Sequence, residues 1–139
     1  MNPPPFHLAF PVKNIEEARR FYGGLLGYKE GRSSSHWVDF DFFGHQLVAH
    51  LAPEECETRA TSEVDGHAVP CRHFGVVLNM AQWLSLSNRL KAEGIEFLIE
   101  PQVRFAGQPG EQATLFLLDP SGNALEFKAF ADIHQLFAT

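Results

Sequence analysis

His7-Leu8-Ala9-Phe10-Pro11-Val12 is followed by Asn14-Ile15-Glu16-Glu17, and His73-Phe74-Gly75-Val76-Val77-Leu78 by Asn79-Met80-Ala81-Gln82. Each stretch opens with a short apolar strand led by a histidine, then places an asparagine where a helix start needs an acceptor for its free N–H groups. Glu17 and Gln82 complete a capping-box spacing. Helical periodicity carries Phe21 and Leu25-Leu26 to Gly27 in one stretch, and Trp83, Leu86 and Leu90 to Gly94 in the other. Both glycines stand where a helix end needs a residue at positive φ. The two stretches predict an internal repeat.

Strand signals follow each helix. In the first half Trp37 to Phe42 alternates polar and apolar residues, turns at Phe43-Gly44-His45 and returns as Gln46 to Leu51, which predicts a hairpin. In the second half Ile95 to Ile99 reads as a strand, Pro101 to Gly110 as a loop and Thr114 to Leu118 as a strand. The turn Asp119-Pro120-Ser121-Gly122-Asn123 then leads into a last strand, Ala124 to Phe130. Both halves are predicted to run β-α-β-β-β, as modules over about residues 5–52 and 71–131. Residues 53–70 are charged, contain prolines and lack periodicity, so they read as a linker. Halves of about 65 residues would have marginal separate cores, so residues 1–139 are expected to form one α+β domain, a curved mixed sheet around a cleft.

The composition narrows the function. Of 139 residues, 45% are hydrophobic and 20% charged, and no apolar run approaches the roughly 18 residues of a membrane span, which argues for a soluble globular chain. Seventeen acidic residues against eleven basic leave a net charge of −6, so no basic face is expected for nucleic acid or an anionic membrane. Met1-Asn2-Pro3-Pro4-Pro5 has neither the basic nor the apolar region of a secretory signal, and a cytoplasmic location is expected. Cys56 and Cys71 form no CxxC motif and read as free thiols, Cys71 in the core.

Alternate strand residues share a face, which groups His7 with Ala9 and Pro11, His50 with Val48 and Gln46, His73 with Gly75 and Val77, and Glu126 with Ala124 and Lys128. The repeat places His7 and His73 at matching positions, and predicts the same of His50 and Glu126. Two imidazoles and a carboxylate suit a borderline divalent metal and leave coordination positions open for substrate and oxygen. His36, His45, His67 and His134 fall in turns, the linker or the tail and are expected to be solvated. Arg104, Gln108 and Gln112, in or beside a Gly-Pro loop, are candidates for holding an anionic substrate.

From about His7 to Phe130 the chain resembles the vicinal oxygen chelate superfamily of glyoxalase I, extradiol dioxygenases and the bleomycin and fosfomycin resistance proteins. The resemblance rests on the paired halves, on His7 to Val12 followed by Ala18-Arg19-Arg20-Phe21-Tyr22-Gly23-Gly24-Leu25-Leu26-Gly27, and most specifically on Asp119-Pro120-Ser121-Gly122-Asn123-Ala124-Leu125-Glu126. It implies His7, His73 and Glu126 as metal ligands. More narrowly, Asp39 to His50 and Gly107 to Thr114 are similar to small single-domain predicted extradiol dioxygenases. That likeness implies Fe(II), with Zn, Ni or Mn as alternatives, a catechol-like small-molecule substrate, and a homodimer, in some members with halves exchanged. Glyoxalase I enzymes usually carry a fourth ligand, most often Glu, at the place that falls to His50 in this chain. His50 is therefore the candidate acid–base group, and a glyoxalase-type isomerase or lyase is the alternative. A non-catalytic, resistance-type binding protein is a third reading, against which the retained ligands argue.

Overall fold

β1 (His7–Val12) runs parallel to β4 (His45–Leu51), β4 antiparallel to β3 (Trp37–Phe42), and β3 antiparallel to β2 (Lys29–Ser33), giving a mixed sheet of order β1-β4-β3-β2. The same plan recurs with β7 (His73–Leu78), β10 (Ala124–Phe130), β9 (Gln112–Leu118) and β8 (Phe97–Arg104), in the order β7-β10-β9-β8. The computed structural model describes residues 3–56, 61–64 and 67–139. It divides into two compact units, Met1–Thr58 with Asp119–Asn123, and Arg59–Leu118 with Ala124–Thr139. The α+β class and the repeated strand plan agree with the sequence reading. No helix among the described residues is long and apolar enough to cross a membrane.

Helix entry follows the caps. Asn79 accepts from the Gln82 amide at 2.8 Å while the Gln82 side chain accepts from the Asn79 amide at 3.1 Å, a complete capping box at the head of α2 (Met80–Ala92). Asn14 makes only its half of the motif, accepting from the Glu17 amide at 2.9 Å before α1 (Ile15–Ala18). The first helix then widens into a π-turn over Arg19–Leu25, where the Leu26 amide reaches back to the Phe21 carbonyl. This segment buries adjacent aromatics: Phe21 and Tyr22 both enter the core, Tyr22 5.2 Å from the Phe10 ring and 5.4 Å from that of Phe40.

The turn before β10 belongs to the first unit. Asp119 Oδ1 accepts from the Ser121 and Asn123 amides, and Oδ2 from the Tyr22 hydroxyl at 2.7 Å and Asn123 Nδ2 at 2.9 Å. Asn123 Nδ2 also reaches the Pro11 carbonyl, and the Ser121 hydroxyl accepts from the Lys13 amide. Burial, with the Asp119 carboxylate alongside, holds the Tyr22 phenol well above its ordinary pKa.

Three local expectations need correction. The segment read as a linker contains a 3₁₀ turn at Pro53–Glu55 and a hairpin of β5 (Thr61–Val64) and β6 (His67–Pro70); its residues 57–60, 65 and 66 lie outside the described residues. The strand placed at Ile95 to Ile99 runs instead from Phe97 to Arg104, straight through Pro101. Proline is tolerated because β8 is an edge strand, and the register shifts between Ile99 and Gln102. Cys71 is exposed, in the bend that precedes β7, and Cys56 is the buried thiol.

Candidate metal centre

His73 heads β7 and Glu126 stands near the start of the neighbouring parallel β10, opposite Gly75. Gly75 lets the two backbones approach, since a Cβ there would fall on the Glu126 carbonyl oxygen. His73 Nδ1 lies 3.1 Å from the Pro70 carbonyl oxygen, an acceptor only, so Nδ1 carries the hydrogen and Nε2 presents its lone pair. The Glu126 carboxylate is fixed in turn, Oε2 accepting from the Thr114 hydroxyl at 2.6 Å. Oε1 then faces His73 Nε2 at 3.6 Å, with the two side chains 16% and 28% exposed.

Two electron-rich atoms aimed at each other need a proton on Nε2 or a cation between them. Two donors each about 2.1 Å from one ion stand roughly 3.0–3.5 Å apart at angles of about 90–110°. The His73–Glu126 separation is close to that range. The outer partners, a carbonyl on the imidazole and a hydroxyl on the carboxylate, are the kind that orient metal ligands. The donors therefore fit a divalent cation. Both line a cavity of about 230 Å³ walled by Gly75 and Val77, with Lys128 at its side.

His7 heads β1 in the other unit and is exposed. Its Nδ1 is 2.7 Å from Gln46 Oε1, and Gln46 Nε2 donates to Asp39 Oδ2 at 3.0 Å. The carboxylate fixes the amide's orientation, the amide oxygen takes the Nδ1 hydrogen, and Nε2 is again the open donor. Both predicted imidazole ligands thus share a tautomer. Among the described residues no three His, Cys, Asp or Glu side chains lie close enough together to hold a metal ion.

The strand registers revise the place of His50. Glu126 pairs with Gly75, the third residue of β7, and the residue paired with Ala9, the third of β1, is Val48. His50 pairs with Pro11 and matches Lys128, which pairs with Val77. The expected equivalence of His50 and Glu126 is therefore off by two residues, and an apolar side chain stands where a fourth carboxylate would be. His50 is exposed and keeps the same face as Val48.

Arg104 and Gln112 pair across β8 and β9, but neither lines the His73–Glu126 cavity. The Arg104 guanidinium carbon lies 5.1 Å from the Phe105 ring centroid. Gln108 sits in the loop that precedes β9. His45 is not merely solvated, since its Nδ1 accepts from the Phe6 amide at 2.8 Å; the His67 side chain lies outside the described residues. The sequence reading missed Thr114, Gln46 and Lys128. Lys128 and Gln46 carried a signal there, the alternation that puts Lys128 on the Glu126 face and Gln46 on the face of Val48 and His50, whereas Thr114 carried none.

The Glyoxalase/Bleomycin resistance protein/Dioxygenase superfamily pattern matches residues 5–127, and the chain belongs to that superfamily. A glyoxalase/bleomycin resistance protein/dioxygenase from Alicyclobacillus acidocaldarius is 37% identical, with a TM-score of 0.77 over 96% of each chain. The fosfomycin resistance protein FosX of Listeria monocytogenes shares the fold at 17% identity, with a TM-score of 0.70 over 97% of this chain and 98% of that one. Virulence protein STM3117 of Salmonella typhimurium is 24% identical over 124 residues, 89% of this chain and 82% of that protein.

Proposed function

We propose that the chain is an extradiol-type dioxygenase acting on a catechol-like small molecule, with His7, His73 and Glu126 as the ligands of Fe(II). The observation that carries this reading is Val48. With valine at the position matched to Glu126, the first unit offers an imidazole and no carboxylate there, so the donor set is two neutral imidazoles and one carboxylate. Such a set, holding iron, would supply open positions for both oxygens of a catecholate and for O₂. Glyoxalase I enzymes usually carry a fourth donor at the matching place, and valine cannot serve as one, which favours the dioxygenase reading over the isomerase. His50, two residues further along the same face, is the group to take or return the substrate's proton. Gln46 and Thr114 hold the ligand side chains in their donor orientation.

The test is oxygen uptake by protein purified and iron-loaded anaerobically, over a panel of catechols and hemithioacetals. The expected result is consumption of O₂ with a coloured ring-opened product from a catechol, and loss of bound metal in each of His7→Ala, His73→Ala and Glu126→Ala. Isomerisation of a hemithioacetal without O₂ uptake, or stoichiometric metal in all three variants, would overturn the reading.

A further inference from the structure

Lys128 is half-buried, two residues beyond Glu126 on the same face of β10, and lines the same cavity of about 230 Å³. The strands on either side give it no counter-charge, since it pairs with Thr114 on β9 and with Val77 on β7. Among the described residues it joins no salt bridge, and the one carboxylate lining the cavity, Glu126, is already engaged by Thr114 and faces His73. In a chain of net charge −6, a half-buried cation that lines a cavity beside His73 and Glu126 and joins no salt bridge among the described residues is a place for an anion from outside.

We propose that Lys128 makes this site selective for an acid: the substrate carries a carboxylate at the far end from the two oxygens that approach His73 and Glu126. The inference rests on the proposed metal reading for where those two oxygens lie. Alternate residues of a strand are about 6.8 Å apart. One aromatic ring, with vicinal hydroxyls on one side and a carboxylate on the other, spans that distance. The ammonium takes the carboxylate as a charge-assisted pair, while the apolar walls suit the ring between. A neutral catechol leaves Lys128 unpaired in the filled cavity and binds less well.

The experiment compares dihydroxybenzoate with the isosteric dihydroxybenzamide by calorimetric titration of zinc-loaded protein, in the wild type, Lys128→Met and Lys128→Arg. The wild type should bind the acid about tenfold or more tighter than the amide, as a hydrogen bond between charged groups implies. Lys128→Met should bring the ratio near one with amide affinity and zinc content unchanged, and Lys128→Arg should retain part of the preference. Equal affinity for acid and amide in the wild type, or a preference that survives in Lys128→Met, overturns the proposal. Zinc content, measured separately, decides the metal reading. If wild-type protein takes up no divalent metal while benzoate binds in a Lys128-dependent manner, the dioxygenase reading falls and acid recognition by Lys128 stands.

Discussion

Tyr22 shows how a single buried side chain fixes a turn distant in sequence. Its hydroxyl donates to Asp119 Oδ2, and the same oxygen also accepts from Asn123 Nδ2. Tyr22→Phe leaves that carboxylate oxygen with one of its two donors, so a loss of about 1–2 kcal/mol is expected in urea denaturation. The pH dependence has a definite sign. Because the folded phenol has a raised pKa, the folded state holds its proton to higher pH than the unfolded chain does. The stabilisation is complete below about pH 10, the ordinary tyrosine value, and declines as pH rises above it toward the raised native value. Wild-type stability should fall more steeply above that pH than Tyr22→Phe stability; parallel alkaline limbs would show that Tyr22 stays equally protonated in both states. In sequence, Asp119 to Asn123 was legible as a turn by its proline and glycine, but its anchor was not. A tyrosine bonded across ninety-seven positions leaves no local periodicity.

At the scale of elements, what decides the second sheet is how closely β7 and β10 approach. A methyl group on residue 75 would meet backbone, which cannot swing aside as a flexible side chain can. Gly75→Ala should therefore cost about 3 kcal/mol or more and separate the strands bearing His73 and Glu126. Gly24→Ala is the control, since nothing stands within 4 Å of its added Cβ, and its effect should be neutral or stabilising by up to about 1 kcal/mol. Equal denaturation midpoints for Gly75→Ala and the wild type would refute the argument. Element type was legible where periodicity and caps agree, as for α2 with its complete capping box and for the β3–β4 hairpin. It was not legible at Pro101, where edge position overrides the breaker, nor in β5 and β6, whose short paired strands lack alternation. The register was misread for the same reason. Periodicity fixes which face a residue takes, whereas the pairing that aligns Glu126 with Val48 rather than His50 is set by parallel partners far apart in sequence.

On the scale of the whole molecule, the two sheets end differently on their two sides. β2 presents Lys29, Glu30 and Arg32, and β8 carries Glu100, Pro101 and a register shift, all devices that discourage pairing with another strand. β1 and β7, the opposite ends, are HLAFPV and HFGVVL, with no Lys, Arg, Asp or Glu between them. Sheet ends so free of charge call for cover, and the proposed ligands His7 and His73 lie on these two strands. A second copy of the chain is the cover we expect, in a homodimer. The opposing force is repulsion between two chains of −6 each, which salt screens. Association through apolar strands should therefore persist or tighten as salt rises, whereas association through ion pairs would weaken. Sedimentation at roughly tens of micromolar chain, a range in which a specific interface of ordinary size is occupied, should give the dimer at low salt and at about 0.5 M salt alike. A monomer under both conditions would overturn the expectation, and a dimer that dissociates on adding salt would move the interface from these strands to charged surface.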